Sequence, residues 1–165
     1  MPCCNTIRYH CRKRNHTSAK GGTLTEQSAY REQALVAARA IDEKKGSDIV
    51  IQDVSDLLNV TDYFVICTAA NNRRVDAIAE EVEERLFKEC GVKPASIEGL
   101  DESEWVLMDY GPIVVHIFQP GPRDYYRLEQ LWDAAPTVDV AIAGIEDPVY
   151  TDRIARLLER AEDAD

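Results

Sequence analysis

At 165 residues the chain has room for one domain with a real hydrophobic core and none for two of typical size. Hydrophobic residues make up 45% and charged residues 30%, which excludes a disordered chain, and no run of about 18 apolar residues exists to cross a membrane. The net charge of −11 is uneven: residues 1–28 carry Arg8, Arg12, Lys13, Arg14 and Lys20 against Glu26, a net of +4, which leaves −15 on the remainder. An acidic body repels phosphate backbones and argues for a basic protein partner over direct binding of nucleic acid.

Residues 1–25 show no apolar periodicity and contain Gly21-Gly22, so they are read as a disordered basic tail. Two alternatives attach to it: Cys3, Cys4, His10, Cys11 and His16 as metal ligands, although no CxxC pair is present, or an Arg-rich, acid-poor transit peptide. Cys67 in an apolar run and Cys90 at a helix end complete the five cysteines, and the spacing suits a reducing compartment better than a disulfide framework. A cytoplasmic location is expected, or an organellar matrix if the tail directs import.

From Glu26 to about Lys45, the spacing of Tyr30, Ala34, Leu35, Ala38 and Ile41 predicts an amphipathic helix closed by Gly46. "DIVIQDV", residues 48–54, reads as a strand, and "DYFVICTA", residues 62–69, as a second strand buried on both faces. Asn71 or Asn72 then caps a helix whose stripe Val75, Ile78, Ala79, Val82 and Leu86 ends at Gly91. An extended piece in "KPASIEG" precedes two strands, 105–109 and 113–118, which the short Gly111-Pro112 link should pair antiparallel. Pro122 and Asp124 open a helix carrying Tyr125, Leu128, Leu131 and Trp132 on one face, to stop by Pro136.

The folded domain is placed at 26–136. Residues 137–165 form an acidic tail of net charge −5 with one possible helix capped by Thr151, expected to dock weakly. The pattern predicts an α/β (α+β) fold, a mixed five-stranded sheet with flanking helices.

Catalytic signatures are wanting. Gly46-Ser47 is followed by Asp48, but Asp48 and Asp53 are five apart and predicted on opposite faces of a strand, so a two-metal carboxylate site is not assembled. His116 is the only histidine outside the tail, and neither Cys67 nor Ser103 lies in a nucleophile motif that would pair with it. No GxGxxG or P-loop is present. In "WVLMDYGPIVVHIF", Asp109 beside a glycine turn suits binding of backbone N–H groups, and a strand histidine suits a core hydrogen bond. Trp105, Tyr110, Tyr125, Tyr126 and Trp132 fall within 28 residues, which points to a protein-binding surface as well as to core packing.

"DYFVICTA", "RRVDAIAEEVEERL", "IEG" before Trp105, "WVLMDYGPIVVHIF" and "RDYYRLEQLW" resemble, in order and spacing, the ribosomal silencing factor family, also called the Iojap-related proteins, from about Glu26 to Ala135. The resemblance implies a nucleotidyltransferase-like fold without catalytic carboxylates and a non-enzymatic repressor of translation with no cofactor. Its implied partner is the large ribosomal subunit, bound through ribosomal large-subunit protein fourteen so that the small subunit cannot join, especially in nutrient limitation. Free members of the family resemble homodimers. The runner-up is a nucleotide-binding or nucleotidyltransferase-like enzyme on the same fold.

Carried over by motif position, Trp105, Asp109, Tyr110, Gly111 and His116 are the expected docking residues, with Asp62, Tyr63, Thr68 and Arg73 as a second group. Leu128, Glu129, Leu131 and Trp132 are expected to fix the last helix to the sheet. Pro112 stands where the family usually has aspartate, and Asn71-Asn72 where small serines are usual.

Overall fold

The computed structural model describes residues 24–163; the Cys3, Cys4, His10, Cys11 and His16 set lies outside them. The first helix, α1 (Leu24–Glu43), buries a broad stripe of small and branched residues from Ala34 to Ile41. It ends where Lys45 takes a φ of +62° and Gly46 follows. A Cβ on Gly46 would lie 2.3 Å from the Ile41 Cγ2, so only glycine lets the chain turn this closely under the helix.

Strands β1 (Ser47–Asp53) and β2 (Tyr63–Thr68) form an antiparallel pair, and every β2 residue is buried. Helix α2 (Asn72–Cys90) starts at Asn71, whose side chain accepts the Arg74 N–H at 3.0 Å. It carries the predicted stripe Val75, Ile78, Ala79, Val82 and Leu86 into the core. Strands β3 (Ser96–Glu98), β4 (Trp105–Asp109) and β5 (Ile113–Phe118) follow, with β4 and β5 antiparallel as their short link requires. β5 then lies parallel beside β2.

The sheet has six strands in the order β3-β4-β5-β2-β1-β6, one more than the five expected. The additional strand, β6 (Thr137–Val138), pairs with Ile51 and Gln52 of β1. Two residues leave no alternation for a sequence pattern to register. The helix expected after Pro122 is a second correction. Arg127 adopts a left-handed φ of +47° and divides it into α3 (Pro120–Tyr126) and α4 (Leu128–Leu131).

The residues after 136 do more than the weak docking expected of them. After β6, a 3-10 turn at Val140–Ala143 sends Val140, Ala143 and Ile145 into the principal core, and α5 (Asp152–Glu162) buries Ile154 completely. Sequence-local hydrophobicity is modest here, and the packing partners come from distant strands and helices.

The two faces of the sheet differ. α1 and α2 cover one, packing on Ile51, Val65, Cys67, Val106, Met108, Val115 and Ile117. The other carries a smaller cluster, Val54, Phe64, Ile66, Phe118 and Ala135, bordered by half-buried Trp105, Val114, Leu128 and Trp132.

Candidate functional site

The second face is built by alternation along the β4–β5 hairpin. The register pairs Trp105 with Phe118, Leu107 with His116 and Asp109 with Val114, so all six side chains share it. Ser96 and Glu98 of β3 pair with Asp109 and Leu107 and extend the same face to the sheet edge.

The turn is held by Asp109, whose Oδ1 accepts the Gly111 N–H at 2.7 Å, while the Tyr110 N–H donates to the Ile113 carbonyl at 3.0 Å. Gly111 has a φ of +87°, a conformation that disfavours a side chain. The Pro112 carbonyl accepts from the Asp62 N–H at 2.8 Å, the Tyr63 N–H at 3.1 Å and the Thr61 hydroxyl at 3.0 Å. The proline therefore keeps the turn and ties it to the entrance of β2.

Aromatic rings run across this face. Trp105 stacks on Phe118 with centroids 4.8 Å apart and meets Tyr126 at 4.9 Å. Phe64 meets His116 edge-on at 5.1 Å and Trp132 at 6.2 Å. The Trp105 indole N–H donates to His116 Nδ1 at 3.2 Å, which puts the imidazole proton on Nε2. Burial, reinforced by the positive charge of Arg123, pushes the His116 pKa down to about 4, so the ring is neutral at physiological pH. Its Nε2 has no hydrogen-bond partner, a poor arrangement for a general base awaiting a nucleophile.

The wall beside the rings is α3–α4, fixed from below by a buried arginine. Arg123 donates to Glu129 Oε2 at 3.1 Å, to the Thr68 hydroxyl at 3.1 Å and to the Asp48 carbonyl at 3.0 Å. Both Arg123 and Glu129 are closed off from water. Gln52 adds two bonds from its Nε2, to the carbonyls of Glu129 at 2.9 Å and Trp132 at 3.1 Å. The outer side of the wall presents Tyr125, Tyr126 and Leu131 to solvent, an unusual amount of exposed apolar surface beside an aromatic face.

The expected docking residues do not form one surface. Trp105, Asp109 and His116 lie on the open face, with His116 beneath the rings, and Gly111 is exposed at the hairpin tip. Tyr110 is buried in the core on the helix side, its hydroxyl unpartnered and its pKa pushed up by burial and the Glu83 charge. Tyr63 is buried on that same side, and Asp62 sits half-buried at the mouth of β2. Thr68 is occupied by Arg123, and Arg73 stands exposed in the first turn of α2. Phe64, Leu107, Val114 and Arg123 belong to the face or its support and were not singled out from sequence, whereas Tyr126 was among the clustered aromatics. Strand parity with Trp105 would have found Leu107, whereas nothing local marks Arg123 for burial.

Asp48 and Asp53 are engaged in structural bonds. Asp48 Oδ1 accepts the Thr151 N–H at 2.6 Å, and Asp53 Oδ1 accepts the Ser55 hydroxyl at 2.6 Å. Among the described residues no group of three His, Cys, Asp or Glu side chains could hold a metal ion, and no helix is long and apolar enough to cross a membrane.

Fold and face together define a mixed-sheet α/β protein whose most distinctive surface is an aromatic sheet face walled by two short helices. The family model for the ribosomal silencing factor during starvation matches residues 27–162, and the chain belongs to that family. It is 42% identical over 105 residues to the ribosomal silencing factor RsfS of Bacillus subtilis, covering 64% of this chain and 88% of that protein. Against the chloroplastic protein Iojap of Zea mays it is 36% identical, over 65% of this chain and 46% of that one. A crystal structure from Chromobacterium violaceum superposes with a TM-score of 0.60 at 40% identity, covering 62% of this chain and 85% of the other.

Proposed function

We propose that this protein represses translation without catalysis, by docking its aromatic sheet face on the large ribosomal subunit and sterically preventing the small subunit from joining. The observation that carries this reading is the face itself. Trp105 is half-buried at its centre, Tyr126 and Leu131 are exposed beside it, and Glu98 and Asp109 stand on the β3–β4 side. Aromatic side chains offer large contact area at little rotational cost, and carboxylates around them orient a basic partner and repel rRNA phosphates. Ribosomal large-subunit protein fourteen is the proposed contact, in agreement with the family membership and with the acidic body.

The relatives carry names that speak of ribosome silencing and, in the mouse, of mitochondrial assembly of the large ribosomal subunit. They support a site of action in the bacterial cytoplasm or in an organellar matrix. Self-association of the free protein belongs to the same proposal and is read by gel filtration with light scattering. Co-sedimentation of the purified protein with separated subunits tests the docking. Binding to the large subunit alone is expected, and binding to neither withdraws the function while leaving the fold.

A further inference from the structure

Two buried carboxylates, Asp48 at the start of β1 and Glu129 in α4, complete their hydrogen bonds with one late segment of the chain. Thr151 gives its N–H to Asp48 Oδ1 at 2.6 Å, and its hydroxyl donates to the same carboxylate, 3.1 and 3.2 Å from the two oxygens. Two residues later the Arg153 guanidinium donates to Glu129 Oε1 and, at 3.1 Å, to Asp124 Oδ1 in α3. Arg123 reaches both acidic residues from the other side, at the Asp48 carbonyl and Glu129 Oε2. Ile154, the residue after Arg153, is completely buried in the first turn of α5.

Within the wall the Arg123–Glu129 pair joins α3 to α4, and Arg123 and Gln52 tie it to the sheet from below. α3 has seven residues and α4 four, too short for their own hydrogen bonds to fix them, and the left-handed Arg127 lies between. Gln52 anchors the end of α4 from β1, but the bonds from Arg153 are the ones that reach α3 and α4 together from outside the sheet. Trp132, at the end of α4, packs edge-on against Phe64 and so transmits the wall's position to the aromatic face.

We infer that the segment Thr151–Ile154 is a latch that sets the α3–α4 wall against the aromatic face, with Arg153 as its positioning residue. The inference rests on the docking reading of that face. Without the latch the wall samples displaced positions and only part of the population presents a competent surface. Apparent affinity then falls by the competent fraction.

The chain has two tryptophans, so Trp105→Phe leaves Trp132 as a single fluorescent reporter on the wall. In that background Arg153→Ala should raise acrylamide quenching of Trp132 about twofold. In the chain that keeps Trp105, the same substitution should weaken large-subunit binding about fivefold, as a competent fraction of roughly one fifth would require. Arg153→Lys restores a cation to Glu129 and should recover most of both effects. Should the alanine variant fail to fold by circular dichroism, Arg153→Gln carries the same readouts. Unchanged quenching, or raised quenching with unchanged binding, overturns the positioning role. If the unsubstituted chain itself binds no large subunit, the docking reading falls, and Trp132 quenching still decides whether Arg153 holds the wall.

Discussion

The Trp105 indole N–H donates to Nδ1 of His116 at 3.2 Å, reaching diagonally across the hairpin, since the register partner of His116 is Leu107. One bond therefore fixes the rotamer of the central aromatic and the tautomer of the buried imidazole. It ties the shape of the open face to the protonation state of a group beneath it.

Burial of that imidazole makes the fold acid-sensitive in a defined window. The His116 pKa is lowered from 6.5 to about 4 by burial, so the unfolded chain binds the proton more readily between those values. Stability is then complete above about pH 6.5 and is lost as pH falls toward 4, by roughly 3 kcal/mol for the full shift. Urea unfolding from pH 7.5 to 4.5 should show this slope, and His116→Gln should flatten it relative to the unsubstituted chain. Parallel curves for the two proteins would remove His116 as the source.

Trp105 and Tyr110 should separate in their effects. Trp105→Ala is expected to weaken large-subunit binding at least ~30-fold, the loss of an aromatic hot spot, while the fold persists. Tyr110→Ala should instead cost about 3–5 kcal/mol of stability, because the ring lies in the helix-side core. Tyr110→Phe should be neutral or stabilising, since the hydroxyl has no partner to lose. Equal binding defects in stably folded Trp105→Ala and Tyr110→Phe proteins would contradict this division.

Arg123 is the support of the wall and should behave as a buried ion-pair member. Arg123→Ala leaves the enclosed Glu129 carboxylate with one of its two cations and should destabilise the protein by about 3–5 kcal/mol. Arg123→Met combined with Glu129→Leu should cost less than Arg123→Ala alone, because both charges leave together. Chemical denaturation of the three proteins decides the order.

The ion pairs that Arg85 makes within α2 and across to Glu43 of α1 should matter far less. Arg85 meets Glu43 at 2.6 Å, Glu89 at 2.7 Å and Glu81 at 3.6 Å, and these side chains stay between 16% and 51% exposed. Arg85→Ala is expected to cost roughly 1 kcal/mol at low ionic strength and less at high salt. A loss as large as that of Arg123→Ala would mean that the helix pair is held by charge more than by its apolar stripe.

Much of the fold was legible in the sequence for a physical reason: periodicity survives wherever an element is long and packs on one side. The α2 stripe, the doubly buried β2 run and the antiparallel β4–β5 pair all follow from it. β6 escaped because two residues carry no period, and the break at Arg127 because arginine gives no sign of a left-handed turn. The expected docking residues were legible as types and not as a surface. Motif position groups Asp109, Tyr110 and Gly111, whereas the pleat turns Trp105 and Asp109 to one side and Tyr110 to the helix side. Glu129 was expected to fix the last helix to the sheet, but its partners Arg123 and Arg153 were legible only as charges. Their pairing depends on carbonyls and carboxylates brought from β1, α3 and α4 by the tertiary fold.

The most direct measurement is a subunit-joining assay in a sucrose gradient, with purified subunits and either the unsubstituted chain or Trp105→Ala. Retention of the unsubstituted protein on the large subunit with fewer joined ribosomes, both reversed by Trp105→Ala, is the predicted result. Undiminished joining in the presence of saturating protein, or inhibition that Trp105→Ala leaves intact, would contradict the assignment of the aromatic face as the silencing surface.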